Sequence, residues 1–288
     1  MPPYITCTLC ANPGKLATTA EVARVPCNVR RFREDQFTLW RCAGCGSIHC
    51  KEEVNLSAYY AGYPISRLQL VPALRIGYRN RLRFLRRYGF REEHRCLDFG
   101  CGGGLFVQYL RARGFENAEG YDAFTEEFAH TDLSADSYDV VVSYDVIEHD
   151  DDPREFLKRT SRLLRSRGLL ILGTPRADGV SLERTRNPAL HPPYHRHILS
   201  EQALIDLVLA EGLELEGLTR RCYCDSLVPL VNSRFMWKYV EQSGGFIDIA
   251  IEPPKAGVVL TSPALLFWAV AGYFFPPGDN LTAVFRKA

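Results

Sequence analysis

Short apolar runs alternate with stretches of helical spacing from Arg95 onward. The runs are RCLDFG, AEGYD, YDVVVSYDV and LLILGTP, and continuous apolar runs of this length predict buried strands. A helix is predicted from Leu105 to Arg113, where Gly114 ends it, and another begins with Asp152 as its cap and Pro153 as its first residue. Strands that alternate with helices predict an α/β fold, with a mostly parallel sheet covered on both faces.

Two further segments carry a helical or a continuous apolar pattern. Before the sheet, apolar side chains at helical spacing predict an amphipathic connecting helix. They are Val71, Leu74, Tyr78, Leu82 and Leu85. Near the end of the chain, the run ALLFWAVAGYFF lies between Pro263 and Pro276 and is too short to span a bilayer. We expect it to form a buried helix under the last strand; contact with a membrane surface is the alternative.

Composition and charge exclude several classes of protein. With 288 residues, of which 46% are hydrophobic and 24% charged, the chain is long enough for one large domain and a smaller one. The formal net charge of +1 gives no general attraction to nucleic acid or to anionic membranes. The opening MPPYITCTLC lacks the charged start and apolar core of a signal peptide, so we expect a cytoplasmic protein.

Cysteine spacing predicts a metal site in residues 1 to 50. Four of the ten cysteines form two Cys-x-x-Cys pairs, Cys7 with Cys10 and Cys42 with Cys45. Such pairs in a long chain are typical of tetrahedral zinc, which would also stabilise a segment with few apolar residues. Four sulfur ligands leave no open position, so the zinc is expected to be structural. Four free buried thiols are the alternative.

Other residues fit this metal site less well. Cys27, His49 and Cys50 are substitute ligands with poorer spacing. Cys222 and Cys224 fall in a predicted strand and are explained by its alternating faces.

The sequence RCLDFGCGGGLF places a glycine-rich loop directly after the first strand of the predicted sheet. A dinucleotide fingerprint needs its third glycine where Leu105 stands, so that interpretation fails. The loop instead repeats glycine at Gly100, Gly102 and Gly104, and Asp122 ends the next strand. Glycines allow a ligand to approach the backbone closely, and a carboxylate at a strand end can accept hydrogen bonds from both ribose hydroxyls.

Three motifs in this region resemble those of one enzyme family. LDFGCGGG resembles motif I of class I S-adenosylmethionine-dependent methyltransferases, and SYDVIEHDDDP resembles the end of the fourth strand in the ubiquinone-biosynthesis-like members. LLRSRGLLILGTP resembles their following helix and fifth strand, with Ser166-Arg167-Gly168 in place of the usual Pro-Gly-Gly turn. The resemblance covers Arg95 to Pro175 and implies a Rossmann-like methyltransferase sheet that binds S-adenosylmethionine.

The resemblance also implies the cofactor contacts, residue by residue. They are Asp98, Gly100, Cys101, Gly102, Gly104, Asp122, Ala123, Asp132, Leu133 and Tyr144. Between Asp122 and Tyr138 the chain is too short for the family's usual helix and third strand, so we expect the helix to be reduced to a turn. The family's adenine contact then falls on Asp132, with Leu133 stacking nearby; a solvated turn aspartate is the alternative.

Two segments carry groups suited to proton transfer from an acceptor. The resemblance puts Glu148 and His149, in IEHDDDP, at the floor of the cleft, although a structural role in this loop is equally open. In HPPYHRHILSEQALIDL, a second group of polar and aromatic residues precedes the predicted helix start at Ser200. It consists of His191, Tyr194, His195 and His197.

We predict a catalytic group of Glu148, His149, Tyr194, His195 and His197, with His195 as general base and His197 as the next choice. A structural loop histidine is the alternative to the base. A metal site among these histidines lacks an evident carboxylate partner.

Three tyrosines of the linker, Tyr59, Tyr60 and Tyr63, either close over the cofactor as a lid or pack the linker on the core.

The chain is predicted to have three parts: a zinc-ribbon-like module in residues 1–50, a helical linker or lid in 51–90, and a methyltransferase domain in 91–288. Its similarity to bacterial nucleotide-sugar and natural-product methyltransferases suggests that the ribbon and linker cover the active site. The expected reaction is methyl transfer from S-adenosylmethionine to a small-molecule acceptor, sugar-like or natural-product, with oxygen favoured over nitrogen or carbon.

Two other functions remain open at this point. An RNA methyltransferase could use the zinc ribbon and an arginine-rich linker, but exposed aromatics at stacking spacing are missing and nucleic acid is not the expected partner. The linker arginines are Arg75, Arg79, Arg81, Arg83, Arg86, Arg87, Arg91 and Arg95. A cofactor-binding scaffold without chemistry is the second. The sequence fixes neither the acceptor nor the oligomeric state.

Overall fold

The computed structural model describes residues 4–11, 13–15, 21–61, 63, 68–130 and 132–288. In these ranges the strands are, in chain order, β1 (Tyr4–Thr6), β2 (Pro13–Lys15), β3 (Glu21–Pro26), β4 (Gln36–Arg41), β5 (Ile48–Cys50), β6 (Cys96–Phe99), β7 (Ala118–Tyr121), β8 (Tyr138–Tyr144), β9 (Leu164–Pro175), β10 (His197–Ile198), β11 (Leu213–Thr219) and β12 (Asn280–Lys287). The helices are α1 (Leu56–Tyr60), α2 (Pro72–Arg87), α3 (Leu105–Arg111), α4 (Pro153–Leu163), α5 (Glu201–Ala210), α6 (Ser233–Gln242), α7 (Ala256–Leu260) and α8 (Pro263–Ala271). No helix among them is long and apolar enough to cross a membrane.

The central sheet has the order β11-β12-β9-β8-β6-β7. Strands β7, β6, β8 and β9 run parallel, whereas β12 is antiparallel to both of its neighbours. This mostly parallel sheet confirms the predicted Rossmann-like α/β fold. The carboxyl ends of β6, β7 and β8 therefore meet at one edge, where loops can form a binding cleft.

Side chains of β8 show why this region reads as a continuous apolar run. Val140 and Val142 pack in a cluster with α2 and α3, whereas Val141 packs in a second cluster with α4 and α5. Both faces of the strand are therefore buried, as expected for a parallel sheet.

The predicted helix boundaries follow local capping chemistry. Asp152 accepts hydrogen bonds from the backbone amides of the first turn of α4, and Pro153 is its first residue. Ser200 caps α5 in the same way. After α3, Gly114 adopts a φ of +90°, which L-residues rarely adopt.

The segment after β7 is shortened, as predicted. A 3₁₀ turn at Glu126–Phe128 stands where the family usually has a helix. In the described part of this segment there is no third strand, so β7 forms the edge of the sheet.

A smaller antiparallel sheet contains residues from two distant parts of the chain. Its order is β10-β5-β4-β3, with His197 of β10 opposite His49 of β5. Its apolar side chains, such as Val25 and Leu39, pack with Leu190 and Tyr194 from the segment after β9. Residues of β3, β4 and β5 thus share a core with the main domain, and the domain boundary at residue 50 stays a prediction.

The segment between β11 and β12 corrects two expectations. Helix α8 buries Leu265 and Ala269 beside α6, but Phe267 and Val270 are 54% and 66% exposed. The expected burial under the last strand is therefore wrong, because α8 packs in an inserted layer. The strand expected at Cys222 and Cys224 is also wrong: β11 ends at Thr219, and the two Sγ atoms lie 3.0 Å apart beside a turn.

Candidate active site and metal centre

The glycine loop joins β6 to α3 at the cleft edge of the sheet. Gly100 and Gly104 have φ values of +85° and +68°. A Cβ atom at Gly100 would lie 2.3 Å from Val146 Cγ2, and one at Gly104 would lie 2.4 Å from Phe128 Cζ. Both conformation and space therefore require glycine here, and a Cβ atom at Gly102 would meet nothing within 4 Å.

Asp122 is fixed directly beside this loop. Its Oδ2 accepts a hydrogen bond from the Gly102 amide, and its Oδ1 accepts one from the Phe124 amide, both at 2.9 Å. Each carboxylate oxygen has two acceptor positions, so Asp122 keeps capacity for two ribose hydroxyls. Its position at the end of β7 suits that contact.

Asp98 and Arg81 are two buried residues of opposite charge near the loop. Asp98 is 5% exposed, and burial raises its pKa to about 6 against the opposing effect of Arg81. The Arg81 guanidinium lies 3.7 Å and 4.0 Å from the ring centroids of Tyr144 and Tyr223. Among the described residues, Arg81 Nε and Tyr144 Oη have no hydrogen-bond partner. The site therefore offers a zwitterionic ligand one anion and one cation.

From its sequence context Arg81 was placed among the charged linker arginines, so its buried position was not predicted. A signal was present, because Arg81 follows Tyr78 and precedes Leu82 and Leu85 on the apolar face of α2. An arginine on the buried stripe of an amphipathic helix requires a polar or aromatic partner.

Glu148 and His195 meet in a second part of the cleft. Glu148 is fully buried, and its Oε2 accepts a hydrogen bond from Thr174 Oγ1 at 2.9 Å. Its Oε1 has no partner in the described ranges and lies 4.0 Å from His195 Nε2. His195 Nδ1 lies 2.8 Å from the Ala189 carbonyl oxygen, so Nδ1 carries the proton and Nε2 has a free lone pair.

The same burial sets the charges of this group. It raises the pKa of Glu148 well above its usual range, with Asp145 adding repulsion. It lowers the pKa of His195 to about 4 and the pKa of His149 and of His191 well below the usual range. The imidazoles are therefore neutral at neutral pH and can accept a proton.

Asp145 is a further cleft residue that sequence analysis missed. It follows β8 directly and adopts a φ of +57°, which is uncommon for a residue other than glycine. Asp145 is exposed to solvent, while nearby protein groups that desolvate it raise its pKa to about 6 and Arg81 opposes this shift. Strained residues at strand ends cluster at functional sites.

Linker tyrosines close this part of the cleft. Tyr60 Oη lies 3.0 Å from His149 Nδ1, and Tyr63 Oη lies 3.0 Å from His191 Nε2. The Tyr60 ring stacks on Phe124, next to the Asp122 loop, at 4.6 Å. These two tyrosines thus connect the histidines to the cofactor side.

Two more tyrosines, Tyr194 and Tyr59, pack near Tyr60 and Tyr63. Tyr194 is fully buried and stacks on Tyr63 at 4.6 Å. The Tyr59 hydroxyl instead donates a hydrogen bond to Asp35, the residue before β4.

The predicted site residues are not all brought together. His197 turns away from the His195 group and contacts His49, with 2.9 Å between the two Nδ1 atoms. Asp132 is exposed, and Leu133 packs against the main core. Ala123 is exposed and Cys101 is half-buried beside Gly120. The cofactor roles of these four residues stay predictions.

The four cysteines of the two Cys-x-x-Cys pairs lie close together in the N-terminal module. The Sγ atoms of Cys7, Cys10, Cys42 and Cys45 all lie within 4.8 Å of one another. Cys7 and Cys45 are 3.7 Å apart, and Cys10 and Cys42 are 3.6 Å apart. Two sulfurs on one tetrahedral zinc stand roughly 3.8 Å apart, given Zn–S bonds of about 2.3 Å. The spacing therefore fits a zinc ion.

A second group could also supply metal ligands. Glu148, His149 and His195 have ligand atoms within 4.8 Å of one another. Glu148 is the carboxylate partner that sequence analysis did not find. The group can therefore hold a cation or move a proton.

A family model described as a methyltransferase domain matches residues 73–218, just over half of the chain. The chain belongs to the methyltransferase domain family. The match begins in α2 and ends in β11, so it includes Arg81, the glycine loop, Asp122 and the Glu148–His195 group. The predicted resemblance to class I S-adenosylmethionine-dependent methyltransferases is thereby confirmed.

Individual similarities are weaker and cover less. The methyltransferase is 34% identical over 100 residues to a ubiquinone biosynthesis O-methyltransferase of Ruegeria sp. (strain TM1040), covering 28% of this chain and 40% of the relative. It is also 34% identical over 105 residues to the enzyme of that name from Caulobacter sp. (strain K31), covering 29% and 41%. The chain thus matches about two fifths of these curated relatives' length.

Solved structures resemble the methyltransferase at low identity. An S-adenosylmethionine-dependent methyltransferase from Mesorhizobium loti is 15% identical with a TM-score of 0.44, and the similarity covers 72% of this chain and 98% of that one.

Proposed function

We propose that this methyltransferase transfers a methyl group from S-adenosylmethionine to a hydroxyl oxygen of a small sugar-like or natural-product acceptor, with His195 as general base. One observation carries the proposal: His195 Nε2, with its lone pair free, lies 4.0 Å from the unpartnered Oε1 of buried Glu148. A neutral imidazole beside a carboxyl group in a dry pocket is suited to accept a hydroxyl proton.

The cofactor would be held by groups beside the glycine loop. Asp122 would accept the ribose hydroxyls, Asp98 would face the methionyl ammonium, and Arg81 would face its carboxylate. When bound, S-adenosylmethionine supplies an electrophilic methyl group on a sulfonium. The opposite charges of Asp98 and Arg81 match the charges of the amino acid part.

His195 would accept the proton of the acceptor hydroxyl. The hydrogen bond from Nδ1 to Ala189 fixes the tautomer, so Nε2 is the accepting atom. His195 Nε2 would accept the hydroxyl proton when the acceptor oxygen takes the methyl group that bound S-adenosylmethionine would supply. The imidazolium beside Glu148 would then carry the positive charge that the sulfonium gives up, so net charge would be conserved.

Oxygen and a small acceptor are favoured by two observations. The relatives from Ruegeria and Caulobacter carry the name O-methyltransferase. Several linker arginines are paired with acids, which reduces their availability to RNA phosphates. These pairs are Arg86 with Glu92, Arg91 with Glu93, and Arg95 with Glu119.

We also propose that Cys7, Cys10, Cys42 and Cys45 hold a structural zinc ion. The support is the spacing of the four sulfurs, together with the backbone amide of Gly44, 3.3 Å from Cys42 Sγ. Four thiolates would saturate the ion, so it would take no part in methyl transfer.

The test is incubation with methyl-labelled S-adenosylmethionine and separate small-molecule, RNA and protein fractions of the source cell. Label in the small-molecule fraction, at alkali-stable ether oxygens, is the expected result. Label in RNA would overturn the acceptor class, and no label in any fraction would favour a binding scaffold.

A further inference from the structure

The predicted zinc centre is connected to the candidate active site through His49. His49 Nε2 lies 3.3 Å from Cys7 Sγ, and His49 Nδ1 lies 2.9 Å from His197 Nδ1. The His49 side chain is buried, and its ring stacks on Trp40 at 4.6 Å. A neutral imidazole donates from one nitrogen and accepts at the other, so His49 can make both contacts at once.

Beyond His197, the connection continues into the loop that carries Glu148. The backbone amides of Arg196 and His197 both donate to the Glu148 carbonyl oxygen, at 2.8 Å and 3.1 Å. The Arg196 guanidinium donates from Nε to Asp151 Oδ1 at 3.1 Å, and from Nη1 to the Glu52 carbonyl oxygen at 2.6 Å. His195, Arg196 and His197 are consecutive, so the segment that bonds the Glu148 carbonyl oxygen also carries the proposed base.

The second cysteine pair anchors the other end of this segment. Ser200 Oγ donates to the Cys45 carbonyl oxygen at 2.6 Å, and the Ser200 amide donates to Ser47 Oγ at 3.0 Å. Residues 197 to 200 therefore lie between two attachments to the metal-binding module, and His195 stands two residues before the first of them. Neither attachment uses the glycine loop or Asp122.

We propose that His49 is a positioning residue that couples the geometry of the zinc centre to Glu148 and His195. Its hydrogen bond to Cys7 fixes the ring, and the ring fixes His197, whose backbone amide bonds the Glu148 carbonyl oxygen. This inference rests on the proposed roles of Glu148, His195 and the zinc ion. It gives the N-terminal module a function in catalysis without contact with the reacting atoms.

The test compares His49→Phe, His49→Gln and the control His94→Phe in the zinc-loaded full chain. Phenylalanine keeps the aromatic contact with Trp40 but makes neither hydrogen bond. Glutamine can donate one and accept the other. His94 lies in the turn before β6, outside both sites.

The first readout is backbone hydrogen exchange. In His49→Phe the amides of Arg196 and His197 should lose protection by about tenfold, while the β6 and β12 amides keep theirs. His49→Gln should restore most of the protection, and His94→Phe should resemble wild type. Unchanged exchange at Arg196 and His197 would overturn the proposal.

Two further readouts separate this inference from the proposed function. With cobalt in place of zinc, His49→Phe should shift the thiolate-to-metal charge-transfer band, because Cys7 loses its hydrogen bond; an unshifted band would overturn the coupling. Calorimetry with S-adenosylhomocysteine should give wild-type affinity, since the cofactor groups lie elsewhere. Loss of protection only together with loss of cofactor binding would contradict a local role.

If His49→Phe fails to retain metal, His197→Phe provides the same test. His197 makes no contact with a cysteine sulfur in the described ranges, and its replacement removes the bond between the two rings. Retained metal with tenfold weaker protection at the Arg196 amide is the expected result. Retained metal with wild-type protection would overturn the proposal.

Discussion

Glu148 Oε1 and His195 Nε2 lie 4.0 Å apart in a pocket where the carboxyl group is fully buried and the imidazole nearly so. This distance is too long for a hydrogen bond. Burial raises the pKa of one and lowers the pKa of the other, which favours the neutral form of both. A proton taken up by His195 would be stabilised by ionisation of Glu148.

Replacing His195 tests its role as the base. His195→Ala should lower kcat by about a hundredfold or more, because the acceptor hydroxyl then loses its proton only to water. Affinity for S-adenosylmethionine should not change, since Asp122 and the glycine loop are intact. The measurement is turnover with the acceptor identified by labelling, together with calorimetry.

His149→Ala and His94→Ala are the matched controls for that variant. The true base is the residue whose removal abolishes the acidic limb of the rate profile. If His195→Ala turns over normally, the base is His149 or Glu148, or none is needed. A modest loss would indicate an acceptor, such as a neutral amine, that needs alignment rather than deprotonation.

The lowered pKa of His195 also predicts a pH dependence of stability. The folded pKa is about 4, against about 6.5 in the unfolded chain. As pH falls from 6.5 towards 4, the unfolded state therefore binds the proton first and is favoured. Against His195→Gln, wild type should lose about 1.4 kcal/mol more of its free energy of unfolding per pH unit in this window.

Urea unfolding of both proteins from pH 7.5 to pH 4 measures this difference. Above pH 6.5 the difference between them should be constant. His94→Gln should run parallel to wild type, and equal slopes for His195→Gln and wild type would show that His195 is not held neutral.

Asp122 is expected to carry the ribose contact. Asp122→Ala should weaken S-adenosylhomocysteine binding by about 2 kcal/mol, or about thirtyfold, while thermal unfolding still shows a folded protein. Calorimetry measures the affinity. An unchanged dissociation constant would remove Asp122 from the cofactor site.

Arg81 is expected to recognise the carboxylate of the cofactor. Arg81→Met should weaken S-adenosylhomocysteine binding at least about tenfold, because a charge-assisted contact is lost. Methylthioadenosine lacks the amino acid part, so its affinity should not change, whereas Asp122→Ala should weaken both ligands. Arg86→Met serves as the surface control. Equal losses for both ligands in Arg81→Met would indicate damage to the fold rather than a lost carboxylate contact.

Local signals made the sheet and the glycine loop predictable from sequence. Gly100 and Gly104 adopt positive φ values within one short loop, and Asp152 with Pro153 caps α4 locally. These features depend on neighbouring residues, so a pattern of a few positions contains the information.

Contacts between distant segments were not predictable in the same way. His197 reads like a second candidate base, yet strand pairing with His49, 148 residues away in sequence, turns it towards the cysteines. Helix α8 reads as buried because it lacks polar residues, and its packing on α6 could not be derived from composition. Arg81 is an intermediate case. Its place on the apolar face of α2 is visible in the sequence, whereas its aromatic partners are visible only in the structure.

The zinc centre gives the last prediction. Purified protein should contain about one equivalent of zinc per chain by elemental analysis, and Cys42→Ser should lose most of it, because three thiolates bind the ion less tightly than four. Cys222→Ser, which changes a cysteine outside the centre, should keep the full equivalent. Loss of zinc should also lower the thermal midpoint, since metal binding stabilises only the folded module. Full zinc retention in Cys42→Ser would count against the assignment of the four cysteines as the zinc ligands.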